Sequence, residues 1–359
     1  MLPRGWGELN GPAGAALPGP LLSVSGLSKT FRAARPFFVR EARHAVRAVR
    51  DISFRLAAAE TLALVGESGS GKSTTARLVL RLLAPDAGEV RFDGVDWLSL
   101  PPAELNRARR HVGVVFQDPG TSLDPRLSVG AVVGEPLSIH GIGTPAGRRE
   151  RVAALLRAVG LSPDASARRP SEFSGGQRQR IAIARALAAE PKLVVLDEPV
   201  SALDLSVRSQ LLNLLRDLQE TTPSHPSYLF IGHDLDVVRH FADRTAVLYL
   251  GRIVEEGPTA EVLDAPRHPY TALLLASRPG PHRRGGDASG AARRKAAGEP
   301  ASAAFPPSGC AFHPRCPRAG AACRVDLPEL SEDPFSAGRS YACHDPEPAP
   351  RGNFFARSS

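Results

Sequence analysis

No apolar run in this 359-residue sequence reaches the roughly 18–20 residues that a helix needs to cross a bilayer. Glycine and proline interrupt residues 1–20 throughout, which excludes the apolar core of a signal peptide and reads as a disordered tail. Cysteine is missing until position 310, so no disulfide framework shapes what precedes it. Lysine stands only at Lys29, Lys72, Lys192 and Lys295, so the formal charge of +8 is essentially an arginine charge. That excess admits nucleic acid or an anionic membrane surface as a partner. Five of the arginines and Lys295, against only Asp287, sit in the Arg-, Ala- and Gly-rich stretch near 278–295, which concentrates the excess there. No internal repeat is present, so the chain carries a single copy of its unit.

What is present falls into three regions. Residues 21–265 alternate short β-rich runs with amphipathic stretches, the pattern of an α/β domain around a largely parallel sheet. Residues 278–309 lack periodicity and read as a flexible connector. Residues 310–359 hold all four cysteines. In the first region the runs at 61–65, 192–196 and 227–231 read as buried strands. The stretch from Lys72 to Leu83 predicts a helix with Leu78, Val79 and Leu82 on one face. Val207 to Glu220 predicts another, with Leu211, Leu214, Leu215 and Leu218 at helical spacing.

Gly66-Glu67-Ser68-Gly69-Ser70-Gly71-Lys72-Ser73, followed by Thr74, fits G-x-x-x-x-G-K-[ST] between a strand and a helix. Glycine lets successive backbone N–H groups converge on an anion, and the helix N-terminus adds positive potential. Lys72 is placed for the β- and γ-phosphates of a nucleotide and the Ser73 hydroxyl for Mg²⁺. The loop implies nucleotide binding but does not separate kinases, GTPases, helicases and transporters.

Farther on, Phe173-Ser174-Gly175-Gly176-Gln177 opens a second helix. It makes either a helix cap or a second anion site. One triphosphate does not need two such sites, so the second implies a neighbouring subunit's ATP. Here the sequence resembles the ABC ATPase family, whose signature is usually L-S-G-G-Q, with Phe173 in place of Leu.

The motifs that follow match the family in order. Leu193-Val194-Val195-Leu196-Asp197-Glu198 resembles the Walker B strand, which implies Asp197 on Mg²⁺ and Glu198 as the general base for water. Ser201-Ala202-Leu203-Asp204 resembles the D-loop, and His233 the switch histidine that senses the γ-phosphate. Gln117, after Val112–Phe116, resembles the Q-loop glutamine that contacts Mg²⁺ and couples to the membrane subunit. Phe31 sits where the family places an aromatic on adenine. The resemblance implies a RecA-like P-loop nucleotide-binding domain over 21–265, with an antiparallel β subdomain and a helical subdomain at about 118–180.

Arg267-His268-Pro269-Tyr270-Thr271 and Gly309–Pro317 resemble the C-terminal extension of dipeptide, oligopeptide and nickel importer ATPases, here residues 266–359. The histidine-proline pair itself reads as a helix start. Cys310, Cys316, Cys323 and Cys343 are spaced C-x5-C-x6-C-x19-C, which fits neither a C-x2-C zinc finger nor a bacterial ferredoxin run. The subgroup resemblance points to a [4Fe–4S] cluster. Zinc, joined by His313 and His344, and free thiols stay open.

The whole implies a peripheral protein on the cytoplasmic face of the membrane that hydrolyses Mg-ATP. Its expected partners are a second ABC ATPase subunit, two transmembrane permeases and an extracytoplasmic substrate-binding protein. The leading cargo is di- or oligopeptide, with nickel or another small solute as the alternative. A soluble ABC ATPase acting on nucleic acid would call for tandem units or a coiled-coil insertion, and neither is present.

Overall fold

Along the chain, apolar runs become strands and periodic stretches become helices. The computed structural model describes residues 19–32, 45–201, 203–277 and 304–348. The tail at 1–20 and the connector at 278–309 therefore lie largely outside the described residues. The strands are β1 (Leu22–Arg32), β2 (Ala45–Leu56), β3 (Thr61–Val65), β4 (Ala87–Phe92), β5 (Val95–Asp96) and β6 (Val112–Val115). Then come β7 (Leu193–Asp197), β8 (Ser227–Gly232), β9 (Arg244–Tyr249), β10 (Arg252–Pro258), β11 (Ser331–Glu332) and β12 (Ser340–Tyr341). The helices that matter here are α1 (Lys72–Val79), α2 (Val129–Ile139), α3 (Pro145–Ala158) and α4 (Gly175–Leu187). They are followed by α5 (Leu205–Thr221), α6 (Leu235–Phe241) and α7 (Pro269–Ala276).

Two compact units form. One gathers the described residues of Met1–Leu27, Ser53–Ala63 and Ser73–Gly232, the other those of Ser28–Ile52, Leu64–Lys72 and His233–Ser359.

In the first unit β6, β7 and β8 pair in parallel, with Val115 opposite Leu196 and Asp197 opposite Ile231. Leu193–Leu196 and Tyr228–Ile231 are apolar without alternation because both faces are covered, as parallel strands require. Helix α5 buries Leu211, Leu212, Leu215 and Leu218, and the Tyr228 hydroxyl donates to the Leu215 carbonyl at 2.9 Å. Helices α2 and α3 pack on each other and on α4. Ser128 and Thr144 cap their N-termini through Ala131 N–H and Gly147 N–H.

The helix expected over 72–83 stops at Val79. Arg81 takes a left-handed φ of 51°. Its guanidinium donates to the Trp97 and Leu100 carbonyls at 3.1 and 2.7 Å. Leu82 is consequently 54% exposed instead of lining the core.

In the second unit β9 and β10 form an antiparallel hairpin whose turn uses Leu250 and Gly251, both at positive φ. Strand β12 pairs with β10 (Glu255 opposite Tyr341) and β11 pairs with β12, giving the order β11-β12-β10-β9. The C-terminal extension thus continues the sheet that β9 and β10 begin. A buried ion cluster stitches the junction. Glu255, 0% exposed, accepts the N–H groups of Arg267 and His268 and the Arg339 guanidinium at 2.8, 3.0 and 2.6 Å. Asp333 takes Arg267 at 3.2 Å. Charges this deep are tolerated only when paired and hydrogen-bonded.

Candidate functional site

Strand β3 delivers the chain into the glycine-rich loop, and α1 receives it. Close approach explains two of the glycines. A Cβ on Gly66 would stand 2.3 Å from the Leu248 carbonyl, and one on Gly71 (φ 105°) 2.3 Å from the Ala48 carbonyl. The loop also bonds to the hairpin turn, since Gly251 N–H donates to the Ser70 carbonyl at 2.9 Å. Lys72, only 5% exposed, curls its ammonium into the loop. There it donates to the carbonyls of Gly66 and Glu67 at 2.8 and 2.9 Å and lies 3.4 Å from Ser70 Oγ. Ser68 and Gly69 are exposed at the tip, and Thr74 is half-buried on α1.

In the first unit two pairs of side chains join distant parts of the sequence. Ser73 Oγ donates to Asp197 Oδ1 at 3.1 Å, and Asp197 is buried at the end of β7. Gln117 Nε2 donates to Glu198 Oε2 at 3.0 Å. Glu198 has φ 47°, an uncommon left-handed conformation for a side-chain-bearing residue. Its N–H is anchored to the Ile231 carbonyl at 2.9 Å. The parallel register of β7 and β8 thereby aims the half-buried carboxylate past the strand ends.

The second glycine motif is a helix cap. Ser174 Oγ accepts Gln177 N–H at 3.3 Å while Gln177 Oε1 accepts Ser174 N–H at 3.0 Å, a reciprocal capping box on α4. Ser174, Gly175 and Gln177 are exposed and Gly176 half-buried. Phe173 is buried, with the Arg168 guanidinium 4.4 Å above its ring. That packing accounts for an aromatic ring ahead of the motif.

Phe31 lies near the end of β1 with 42% of its surface exposed. His233 is exposed just after β8, ahead of Asp234, which caps α6 through Asp236 and Val237 N–H groups. Ser201 Oγ donates to the Glu198 carbonyl at 3.1 Å, tying the D-loop stretch to the carboxylate's backbone. Asp204 precedes α5, and Ala202 lies outside the described residues.

The cysteine segment is a tight knot. Cys310 N–H donates to the Cys323 carbonyl at 2.9 Å, and Gly309 (φ 64°) approaches that same carbonyl. Ser308 Oγ donates to the Arg324 carbonyl at 2.9 Å. Burial first, then their mutual proximity, raises the thiol pKa values of Cys310, Cys316 and Cys343, the last to about 12. The [4Fe–4S] expectation gains no support beyond this gathering. Among the described residues no three His, Cys, Asp or Glu side chains are arranged to hold a metal ion. His313 and His344, candidates for zinc, each engage a backbone carbonyl through a ring nitrogen, at 3.0 Å in both cases.

Two contacts at the phosphate loop carry no local signal in the sequence. The Tyr270 hydroxyl accepts Glu67 N–H at 2.9 Å, and Arg315 donates through both terminal nitrogens to the Glu67 carboxylate at 2.9 and 3.0 Å. Their partners are 203 and 248 residues away, beyond the reach of any motif. Glu67, expected among the nucleotide contacts, commits its N–H and carboxylate to the C-terminal extension.

A family model described as ABC transporter matches residues 49–201, and one described as oligopeptide/dipeptide transporter, C-terminal region, matches 254–323. A probable peptide ABC transporter ATP-binding protein of Sinorhizobium fredii is 48% identical over 92% of this chain and 91% of its own length. An oligopeptide transport ATP-binding protein of Bacillus subtilis is 46% identical, over 83% of this chain and 89% of its own. A dipeptide transport ATP-binding protein of Haemophilus influenzae is 43% identical, over 90% and 96%. Among solved structures, a dimeric ATP-binding cassette in a post-hydrolysis state with ADP and phosphate superposes with a TM-score of 0.58 at 30% identity, over 66% of this chain and 98% of that one.

Proposed function

The chain belongs to the ABC transporter family of ATP-binding proteins, and from that premise we propose that it drives uptake of di- or oligopeptides. It is an ATPase, and family membership brings ATP, Mg²⁺, pairing of two ATPase units and permease subunits with it. No helix among the described residues is long and apolar enough to cross a membrane. The permeases, a second ATPase chain of the same or a related kind, the external binding protein and a seat on the cytoplasmic face of the membrane are the finer parts of the reading.

The observation that carries the chemistry is the 3.1 Å contact of Ser73 with Asp197, across 124 residues. It offers a hydroxyl and a carboxylate, hard oxygen donors suited to Mg²⁺, which takes one or two protein oxygens plus nucleotide phosphates. Gln117, whose Nε2 donates to Glu198, would add its amide oxygen to the ion. Bound Mg²⁺ supplies charge neutralisation at the phosphates.

The protein's residues do the rest. Backbone N–H groups of Ser68 to Ser73 and the ammonium of Lys72 receive the phosphates, exchanging the Gly66 and Glu67 carbonyls for phosphate oxygens. Phe31 offers its ring to adenine. Glu198, oriented by Gln117, accepts a proton from water in line with the γ-phosphate, and His233 follows the state of that phosphate. Within Ser174–Gln177, the Gly175 and Gly176 N–H groups and the Ser174 hydroxyl would face the nucleotide of the partner subunit. Closure on two ATP is favoured because the closed pair binds ATP better than the open one.

Glu198→Gln tests the reading: the variant should bind Mg-ATP and remain a closed dimer with turnover nearly lost. Undiminished turnover would remove Glu198 as the base. Cargo is tested by ATPase activity of the reconstituted transporter, which peptide-loaded binding protein should raise and nickel should not. A [4Fe–4S] cluster on Cys310, Cys316, Cys323 and Cys343 is tested by iron and zinc content after anaerobic purification. Zinc without iron would replace it, and neither metal would leave free thiols.

A further inference from the structure

We propose that Arg315 and Tyr270, both in the C-terminal extension, are positioning residues for the phosphate loop, acting on it through Glu67. The proposal rests on the reading of that loop as the nucleotide site and adds a remote control to it.

Every polar group of Glu67 has a distinct duty. Its carboxylate takes both terminal nitrogens of Arg315, at 2.9 and 3.0 Å, a fork-to-fork pair that fixes direction as well as distance. Its N–H goes to the Tyr270 hydroxyl at 2.9 Å. Its carbonyl receives the Lys72 ammonium at 2.9 Å. Glu67 is therefore the residue where the extension and the phosphate-binding lysine meet. The pair is sheltered, with the Arg315 side chain 8% and Glu67 32% exposed, so bulk water screens it weakly.

The anchor itself is rigid. Tyr270 is 0% exposed and packs against Tyr249 and Phe312 at ring separations of 4.5 and 5.4 Å, and Arg315 lies 5.8 Å from the Phe312 ring centroid. Arg315 precedes Cys316, and its N–H bonds the Phe312 carbonyl at 3.0 Å inside the cysteine knot. Whatever reshapes the knot moves the guanidinium, and with it the loop residue that restrains Lys72. Linkage makes the effect reciprocal: a well-formed knot raises nucleotide affinity, and bound nucleotide steadies the knot.

The test measures the Kd and KM for Mg-ATP and kcat in the full-length protein. Arg315→Ala should raise Kd and KM about tenfold, with kcat changed less than about twofold. Arg315→Lys should recover part of the affinity. Combining Arg315→Ala with Glu67→Gln should cost no more than Arg315→Ala alone. Arg318→Ala, which frees the neighbouring surface pair with Asp345, should leave Kd unchanged. Wild-type Kd in a folded Arg315→Ala protein, strictly additive effects, or an equal loss in Arg318→Ala would each overturn the proposal. If Arg315→Ala does not fold, Tyr270→Phe carries the test, because it keeps the ring and removes only the hydroxyl. An affinity loss of about threefold supports the proposal and an unchanged Kd refutes it. Failure of the underlying reading looks different: the wild-type protein itself, or Lys72→Ala relative to it, would show no specific Mg-ATP binding.

Discussion

The chain sets two glycine- and serine-rich turns before helices, at 66–73 ahead of α1 and at 174–177 ahead of α4, and gives them opposite surroundings. The first is pinned on several sides. Its lysine is buried, and its glycines face the backbone carbonyls of Ala48 and Leu248. Its second residue is held by Arg315 and Tyr270. The second satisfies its own donors with a capping box and stands in the open. Similar residue chemistry thus makes a pinned loop in one place and an exposed, self-capped turn in the other. On the proposed roles, a phosphate site is organised before its ligand arrives, whereas a surface for another subunit's nucleotide stays uncovered.

The largest effect should come from the pinned turn. Lys72→Ala is expected to lower ATP turnover about 10²–10³-fold, as removal of a preorganised charge does, measured by phosphate release. Next comes the open turn. Ser174→Asp keeps a good N-cap, so the melting temperature should hold, while on the proposed role of this turn at the partner's nucleotide the added carboxylate should lower turnover about a hundredfold. Turnover equal to wild type would reduce the motif to a cap and erase the comparison.

Glycine substitutions sharpen it further. Gly71→Ala should cost about 2–4 kcal/mol in denaturant unfolding, from positive φ and backbone collision together. Gly175→Ala, where a Cβ meets nothing within 4 Å, should cost less than about 0.5 kcal/mol.

A separate, pH-dependent effect belongs to the anchor of the first turn. His268 caps α7 through Tyr270 N–H, and burial lowers its pKa from 6.5 to about 3. Below 6.5 the unfolded chain binds a proton that the folded one refuses, so the stabilisation is complete above 6.5 and is lost as pH falls toward 3. The slope is at most about 1.4 kcal/mol per pH unit. His268→Asn retains a capping oxygen and should flatten the melting temperature between pH 6 and 4, while the wild-type protein should soften there.

Much of this was legible along the chain. Unbroken apolar runs announced β3, β7 and β8, because parallel strands covered on both faces need no alternation. The positions of the phosphate loop, Asp197, Glu198, Gln117, Ser174 and His233 beside strand or helix ends were legible because each lies at a fixed step from such an end. Leu82 was misread as core, since periodicity cannot see that Arg81 ends the helix early to satisfy the Trp97 and Leu100 carbonyls. The four cysteines were seen as a group, but their spacing could not say whether the thiols form a ligand set.

By itself the sequence determined the phosphate loop, the order of the family motifs and the family, because local backbone chemistry and short spacings encode all three. Only the tertiary structure decided that Glu67 answers to Arg315 and Tyr270 and that the C-terminal strands continue the β9–β10 sheet. It also left the second glycine motif capped and exposed. Those outcomes depend on contacts between residues hundreds of positions apart, and such contacts leave no periodicity or spacing for a sequence to display.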